Sequence, residues 1–215
     1  MTISLGGNAL SRRNLIAMGA LGLGGLALAP ADAVTFPAIA MPPHIGPVRP
    51  SLMMRAIAAF RRHASALPNR DTIGVVDMGL PSSQPRFHLV DMASGRTTSL
   101  LVAHGKGSDP AHTGLLQRFS NVDGSEASSN GAYVTGEIYI GKHGRSRRLA
   151  GLDASNCNAE SRAIVLHGAW YVSPDLVRDH GKIGRSQGCP AVSETDLEQV
   201  LARLGPGRMI YSDKV

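Results

Sequence analysis

The chain has 215 residues, of which 43% are hydrophobic and 18% charged, and its formal net charge at pH 7 is +6. This composition is typical of a globular protein and excludes a wholly disordered chain. A basic chain can bind nucleic acid, but the dense basic run HGRSRR (143–148) contains no interleaved aromatic residues. We therefore predict no nucleic-acid partner and interpret this run as a solvated loop.

The N-terminus has the order of features that is typical of an export signal. Arg12 and Arg13 precede an apolar, glycine-rich stretch from Leu15 to Ala29, and the small-residue pattern Ala-Asp-Ala follows at 31–33. The paired arginines indicate the twin-arginine route. The apolar stretch is shorter than the about 20 residues that a membrane span needs. We predict a signal peptide over 1–33, no stable membrane span after cleavage, and a mature protein in the bacterial periplasm or cell envelope, with an uncleaved anchor as the alternative.

The next two segments are interpreted as a linker and a helix. Residues 34–50 contain five prolines, which favours an extended linker. Apolar residues at helical spacing predict a helix over 51–67, with Ser51 as its N-cap and Pro68 after its end.

The rest of the chain is predicted to be mainly β, with a few short helices. Apolar and β-branched runs between Gly, Pro and Ser turns predict strands over 72–78, 86–92, 97–105, 132–141, 162–172 and 208–212. Ser173 and Pro174 begin a short helix that Gly181 ends. A second helix is capped by Ser193 and ends before Gly205. We predict a single domain over 51–215.

The stretch GRSQGCPAV (184–192) holds the strongest candidate for chemistry, Cys189. Gly188 permits unusual backbone angles, and Pro190 makes the following chain rigid. The backbone N–H groups of Gly188 and Cys189 are candidate oxyanion donors on such a loop. His167, at the end of the apolar run RAIVLHG, is the best candidate for the base that a thiol nucleophile needs.

The residues alone leave other readings of these side chains open. Cys189 can be a buried thiol, or it can form the one disulfide that two cysteines permit, with Cys157, because exported proteins favour disulfides. A serine nucleophile at Ser129 or Ser186 lacks the usual G-x-S-x-G context. A zinc site lacks helical ligand spacing, and its candidate ligands are His104, Asp109, His112, His143 and His167.

Two motifs in combination, RAIVLHGAWYV and GRSQGCPAV, resemble the L,D-transpeptidase catalytic domain family. These bacterial envelope enzymes use a cysteine nucleophile to remodel peptidoglycan. The chain is most similar to the branch whose active-site segment reads S-x-G-C-P-A, and the likeness extends from about Gly74 to Tyr211. It implies a mainly β sandwich or barrel.

The resemblance implies a catalytic role for three residues. Cys189 is the implied nucleophile, His167 the general base and then general acid, and Gly168 the residue whose carbonyl orients the imidazole. The thiolate attacks the carbonyl at the L-centre of a stem peptide and releases D-Ala. An amine then accepts the acyl group, or water does so in an L,D-carboxypeptidase.

The resemblance also implies that Ser186, Gln187 and Gly188 shape the oxyanion hole. Position 187 is a histidine in the commoner branch, and Ala191 stands where that branch has Arg or Asn. We predict that Arg185 binds a substrate carboxylate, because a guanidinium does so in a bidentate manner. Peptidoglycan stem peptides are the expected partners, without a metal or organic cofactor. The alternatives are an inactive peptidoglycan-binding module and a cysteine peptidase of another fold.

Overall fold

The structure is a computed structural model, and it describes residues 46–215. The predicted signal peptide (1–33) and most of the predicted linker (34–45) lie outside the described residues. Within the part that is described, no helix has the length and hydrophobicity that a membrane crossing requires.

The first helix, α1, spans Pro50–Arg62, and a short 3-10 turn follows at Ala64–Ala66. It forms as its apolar periodicity predicts and buries the face that carries Leu52, Met53, Ala56, Ile57 and Phe60. The prediction that Ser51 caps this helix is wrong. Arg49 occupies the N-cap position and Pro50 is already helical, because proline is well suited to the first helical position.

Eight strands form one sheet in the order β3-β2-β1-β8-β4-β5-β6-β7. Their bounds are β1 Thr72–Asp77, β2 Phe87–Asp91, β3 Thr97–Leu100, β4 Gly131–Gly141, β5 Gly144–Gly151, β6 Val165–Gly168, β7 Ala191–Val192 and β8 Met209–Asp213. Neighbours are antiparallel except for the parallel pairs β1–β8 and β6–β7. An isolated bridge between Ala103 and Ala191 joins the segment after β3 to β7, so the sheet is nearly closed into a barrel.

The two late helices are α2, Pro174–His180, and α3, Leu197–Arg203. Ser173 caps α2 by accepting a hydrogen bond from the N–H of Leu176, and Gly181 ends it with φ +68°. Ser193 accepts a hydrogen bond from the N–H of Asp196, but regular helix starts only at Leu197. The predicted fold class, mainly β with a few short helices, is confirmed.

The basic run 143–148 is the main error in the predicted elements. It lies almost entirely in β5, where Ser146 and Arg147 are buried between β4 and β6. The Arg147 guanidinium donates to the carbonyl oxygens of Gly136 and Leu201 at 2.7 and 2.8 Å. A long side chain whose two terminal nitrogens donate to carbonyl oxygens is compatible with a central strand, so the interpretation as a solvated loop is wrong.

The hydrophobic core lies between the curled sheet and α3. It includes Phe87 and Leu89 from β2, Leu166 from β6, and Val200 and Leu201 from α3. Cys189, just before β7, also belongs to this cluster. The core therefore holds β6 and the segment leading into β7 side by side, and this arrangement positions the candidate site.

Candidate active site

The predicted nucleophile and base are brought to one cavity by the parallel pair β6–β7. His167 lies opposite Ala191 in the register of these strands, and Cys189 precedes Ala191 by two residues. Both line a cavity of about 290 Å³. Its remaining lining residues are Tyr139, Lys142, His143, Arg162, Ala163, Val165, Tyr171, Arg185, Ser186 and Gln187.

Cys189 is a nearly buried thiol with 7% of its surface exposed. Its Sγ accepts a hydrogen bond from the backbone N–H of Val165 at 3.5 Å. Burial raises the pKa of the Cys189 thiol, and the Val165 N–H opposes that shift. Cys157 and Cys189 are both free cysteines, and Cys157 is exposed. The alternative of a Cys157–Cys189 disulfide is therefore not realised in this structure.

His167 is held in one tautomer by its neighbour. Its Nδ1 lies 2.8 Å from the carbonyl oxygen of Gly168. Since a carbonyl only accepts, Nδ1 carries the hydrogen and Nε2 keeps the lone pair that a base requires. Burial lowers the pKa of His167 to about 4, with smaller contributions from His143 and Lys142. Among the described residues, no hydrogen bond joins this imidazole to the Cys189 sulfur.

The loop before Cys189 is bound internally and to two neighbouring segments. Ser186 Oγ accepts from the N–H of Gly188 at 3.1 Å, so this N–H already has an acceptor within the loop. The N–H of Ser186 donates to the carbonyl oxygen of His104 at 2.9 Å. Ser128 Oγ donates to the carbonyl oxygen of Gly188 at 3.1 Å. The conformation of the loop is thus fixed by the residues around it.

Gln187 and Arg185 line the cavity, but their side chains contact neighbouring loops. Gln187 Nε2 donates to Glu126 Oε1 at 3.2 Å, and Lys106 Nζ lies 2.8 Å from the same oxygen. One Arg185 nitrogen donates to the carbonyl oxygens of Asp109 and Pro110. These contacts hold Gln187 and Arg185 at the rim of the cavity.

The cavity is basic. Lys142, Arg162 and Arg185 line it, and none of its lining residues within 46–215 is an aspartate or a glutamate. The Arg162 guanidinium is fixed by the carbonyl oxygens of Ser120 and Ala127 at 2.8 and 2.5 Å. An anionic ligand is favoured in such surroundings.

Sequence reasoning missed part of this lining: Arg162 and Lys142 were not predicted, and His143 was considered only as a metal ligand. Gly141 and Gly144 do signal a turn after the predicted strand 132–141, and the structure places Lys142 and His143 at the tip of that turn. No comparable signal marks Arg162.

The candidates for zinc do not form one cluster. His143 and His167 stack in the cavity, whereas His104 Nε2 lies 3.4 Å from Asp109 Oδ2 in the interior. His112 Nε2 contacts the carbonyl oxygen of Ile183 at 3.0 Å. Over residues 46–215, no group of three or more His, Cys, Asp or Glu side chains is arranged to hold a metal ion.

A buried network of hydrogen bonds connects to the active-site loop. This network was not predicted from the sequence. The buried Arg86 guanidinium contacts His104 Nδ1 at 2.7 Å and donates to the carbonyl oxygens of Leu80 and Val102. Burial lowers the pKa of His104 to about 4, and the Arg86 charge adds to this effect. Because the His104 carbonyl accepts a hydrogen bond from the N–H of Ser186, this network supports the loop that carries Cys189.

The sequence matches a known family profile. The family profile described as "L,D-transpeptidase catalytic domain" matches residues 46–212. Similar solved structures include an L,D-transpeptidase from Mycobacterium smegmatis, with 12% identity, a TM-score of 0.39, and coverage of 66% of this chain and 58% of that one. L,D-transpeptidase 3 from Mycobacterium tuberculosis, in complex with a faropenem-derived adduct, has 13% identity, a TM-score of 0.42, and coverage of 66% and 60%.

An L,D-transpeptidase from Xylanimonas cellulosilytica has 13% identity, a TM-score of 0.39, and coverage of 71% of this chain and 68% of that one. The chain spans less than two thirds of the length of the two mycobacterial structures. No curated protein sequence matches the chain.

Proposed function

The chain belongs to the L,D-transpeptidase catalytic domain family, and from that premise we propose that it is an exported enzyme that acts on peptidoglycan stem peptides. Cys189 is the nucleophile and His167 the general base in this proposal. The observation that carries it is the shared cavity: a buried thiol and an imidazole with an available Nε2 line one basic pocket.

The first half-reaction forms a thioester. His167 Nε2 accepts the proton of the Cys189 thiol as Sγ attacks the carbonyl carbon at the L-centre of the stem peptide. The bond from that carbon to the nitrogen of D-Ala breaks, and the imidazolium returns the proton to the leaving amine. Since burial raises the pKa of the thiol and lowers that of the imidazole, the resting pair is neutral, and the proton moves only as the attack proceeds.

The second half-reaction releases the acyl group. An amine from a neighbouring stem attacks the thioester carbonyl, His167 removes its proton, and the Cys189 thiolate leaves. Water in place of the amine gives an L,D-carboxypeptidase. The two outcomes use the same protein groups.

The basic lining supports a stem-peptide substrate. Stem peptides carry free carboxylates, and Lys142, Arg162 and Arg185 line the cavity, where the described part of the chain contributes no acidic side chain. We assign the binding of a substrate carboxylate to Arg185, through the guanidinium N–H groups that do not donate to Asp109 and Pro110. The N–H of Cys189 is the proposed oxyanion donor, because that of Gly188 already donates to Ser186.

A second candidate function is a peptidoglycan-binding module that does not acylate. The raised pKa of Cys189 favours it, because a thiol in apolar surroundings is less reactive.

Covalent labelling tests the proposal directly. The full chain is incubated with a carbapenem, whose β-lactam carbonyl acylates a reactive active-site cysteine, and the mass of the protein is measured. We expect one adduct, which is lost in Cys189→Ser and retained in Cys157→Ser. Incubation with a tetrapeptide muropeptide then distinguishes the two activities, because a transpeptidase forms dimers and an L,D-carboxypeptidase forms tripeptides. Muropeptide binding without acylation supports the binding module, and an adduct that survives in Cys189→Ser contradicts the assignment of the nucleophile.

A further inference from the structure

A two-residue hairpin turn brings His143 over the proposed base. β4 and β5 are joined by Lys142 and His143, and the flanking Gly141 and Gly144 face each other in the register. Gly144, which follows the turn, has φ +69°, a left-handed angle that glycine adopts without strain. Three residues after His143, Ser146 pairs with His167 across β5 and β6. The tip of the hairpin is therefore held in a fixed position next to the end of β6.

The two imidazoles stack face to face. The ring centroids of His143 and His167 are 4.2 Å apart, and the ring planes differ by 16°. Apart from this stack, His143 is an exposed residue, whereas His167 is buried. The hydrogen bond from Nδ1 to the Gly168 carbonyl restrains one edge of the His167 ring, and the stack covers one of its faces. An edge contact and a face contact together limit rotation about both side-chain torsions.

We propose that His143 is a positioning residue that holds the His167 imidazole in the orientation required for proton transfer from Cys189. The inference rests on the proposed function for the role of His167, but the stack itself is independent of it. His143 does not have to exchange a proton with the substrate in this arrangement. A planar, uncharged side chain at position 143 is therefore sufficient.

The electrostatics of the site agree with a stack of two neutral rings. Burial lowers the pKa of His143, with a further contribution from Lys142, and the pKa of His167 is lowered to about 4. Both rings are thus neutral near pH 7, and two neutral rings stack without charge repulsion. The other titratable or charged side chains that line this cavity are Tyr139, Lys142, Arg162, Tyr171, Arg185 and Cys189.

Three variants of the hairpin separate stacking from charge. His143→Ala removes the ring, His143→Phe keeps a flat ring without nitrogen atoms, and Arg145→Ala removes a charge of β5 that does not line the cavity and keeps the stack. The first readout is the titration of the His167 imidazole, followed by NMR. We expect the pKa of His167 to rise toward its ordinary value in His143→Ala, because the uncovered ring gains water. In His143→Phe we expect it to stay low.

The second readout is the rate of acylation of Cys189 by a carbapenem at saturating and at low concentration. We expect the maximal rate to fall about tenfold in His143→Ala and by less than about twofold in His143→Phe, since the loss is one of orientation. Arg145→Ala should leave the maximal rate within about twofold of the wild type, because the Arg145 charge pairs with Glu198 and does not line the cavity. Thermal melting of each variant confirms that it is folded.

The outcomes distinguish this inference from the proposed function. An unacylated wild type overturns the proposed function. An acylated wild type together with unchanged acylation and unchanged His167 titration in His143→Ala overturns the role of His143 alone. Equal losses in His143→Ala and His143→Phe also overturn it, because they show that the nitrogen atoms of His143 are needed.

Discussion

The hydroxyl of Ser186 donates a hydrogen bond of 2.6 Å to the carbonyl oxygen of Cys189. The hydroxyl oxygen of Ser186 in turn accepts a hydrogen bond from the N–H of Gly188 at 3.1 Å. The buried Ser186 side chain thus bridges the N–H of Gly188 and the carbonyl of Cys189, the proposed nucleophile. The resemblance implied that Ser186 shapes the oxyanion hole, and these contacts suggest that any such effect acts through the backbone of the loop.

Ser186→Ala is expected to destabilise this loop. It leaves the buried N–H of Gly188 and the carbonyl of Cys189 without their partner, at a cost of about 1–3 kcal/mol. The acylation rate of Cys189 should fall as well, because the loop no longer holds the thiol in one orientation. Urea unfolding and carbapenem labelling measure the two effects. Ser186→Thr keeps the hydroxyl and is the control; equal losses in both variants would show that the hydrogen bonds are not responsible.

Gly188→Ala is expected to be more damaging than an alanine at an ordinary left-handed glycine. Gly188 has φ +117°, and an added Cβ would lie 2.8 Å from the Ala127 carbonyl oxygen and 2.9 Å from Ile164 Cδ1. We expect a loss of more than about 2 kcal/mol in the free energy of unfolding. Gly124→Ala is the matched control, because Gly124 has φ +71° and nothing lies within 4 Å of an added Cβ. This variant should lose about 1 kcal/mol in the free energy of unfolding. A similar loss at both positions would show that the contacts at Gly188 can relax.

Elements with a strong local signal were predictable from the sequence. The periodic apolar face of α1 and the capped α2 follow from spacing and caps alone. The run 162–172 was predicted as one strand, but β6 covers only Val165–Gly168. Ala163, just before it, has φ +52°, which a regular strand does not permit. Such a backbone angle is imposed by tertiary contacts and leaves no mark in a single sequence.

The candidate site was predictable only where its residues are close in sequence. Gly168 follows His167, so the hydrogen bond between them is local. Arg162 and the buried Arg86 act through carbonyl oxygens of distant segments, and no spacing rule relates those segments. The stack of His143 on His167 depends on the register of β5 and β6, which the chain sets only after the sheet has formed.

The stability of the fold should fall as the pH decreases from about 6.5 to 4. The pKa of His167 is about 4 in the folded protein and near 6.5 when unfolded, so the unfolded state binds more protons in this interval. The stabilisation is complete above pH 6.5 and is lost as the pH falls, by on the order of 2–3 kcal/mol. The pKa of His104 is also lowered to about 4 in the folded protein, so this residue adds to the loss of stability at low pH. Urea unfolding of His167→Gln should show a shallower pH dependence, whereas the exposed control His180→Gln should follow the wild type.

Arg86→Met is expected to be strongly destabilising despite its similar size. The buried guanidinium supplies donors to the carbonyl oxygens of Leu80 and Val102 and to His104 Nδ1. Their loss should cost about 3–5 kcal/mol. Arg178→Met, which removes exposed contacts to Asp175 and Asp179, should leave the melting temperature close to that of the wild type. Equal effects in thermal melting would show that the acceptors around Arg86 find other partners.

The two cysteines should react with a small disulfide reagent at very different rates. Cys157 is exposed, whereas Cys189 is buried and burial raises the pKa of its thiol. Because only the thiolate reacts, we expect one fast and one slow thiol in the native protein and two fast thiols in urea. Cys157→Ser should remove the fast phase, and Cys189→Ser the slow phase. The rate of the slow phase should keep rising with pH beyond the ordinary thiol range. A native protein without reactive thiols would instead indicate a disulfide between the two cysteines, and a slow phase that is complete at neutral pH would show that His167 already holds Cys189 as a thiolate.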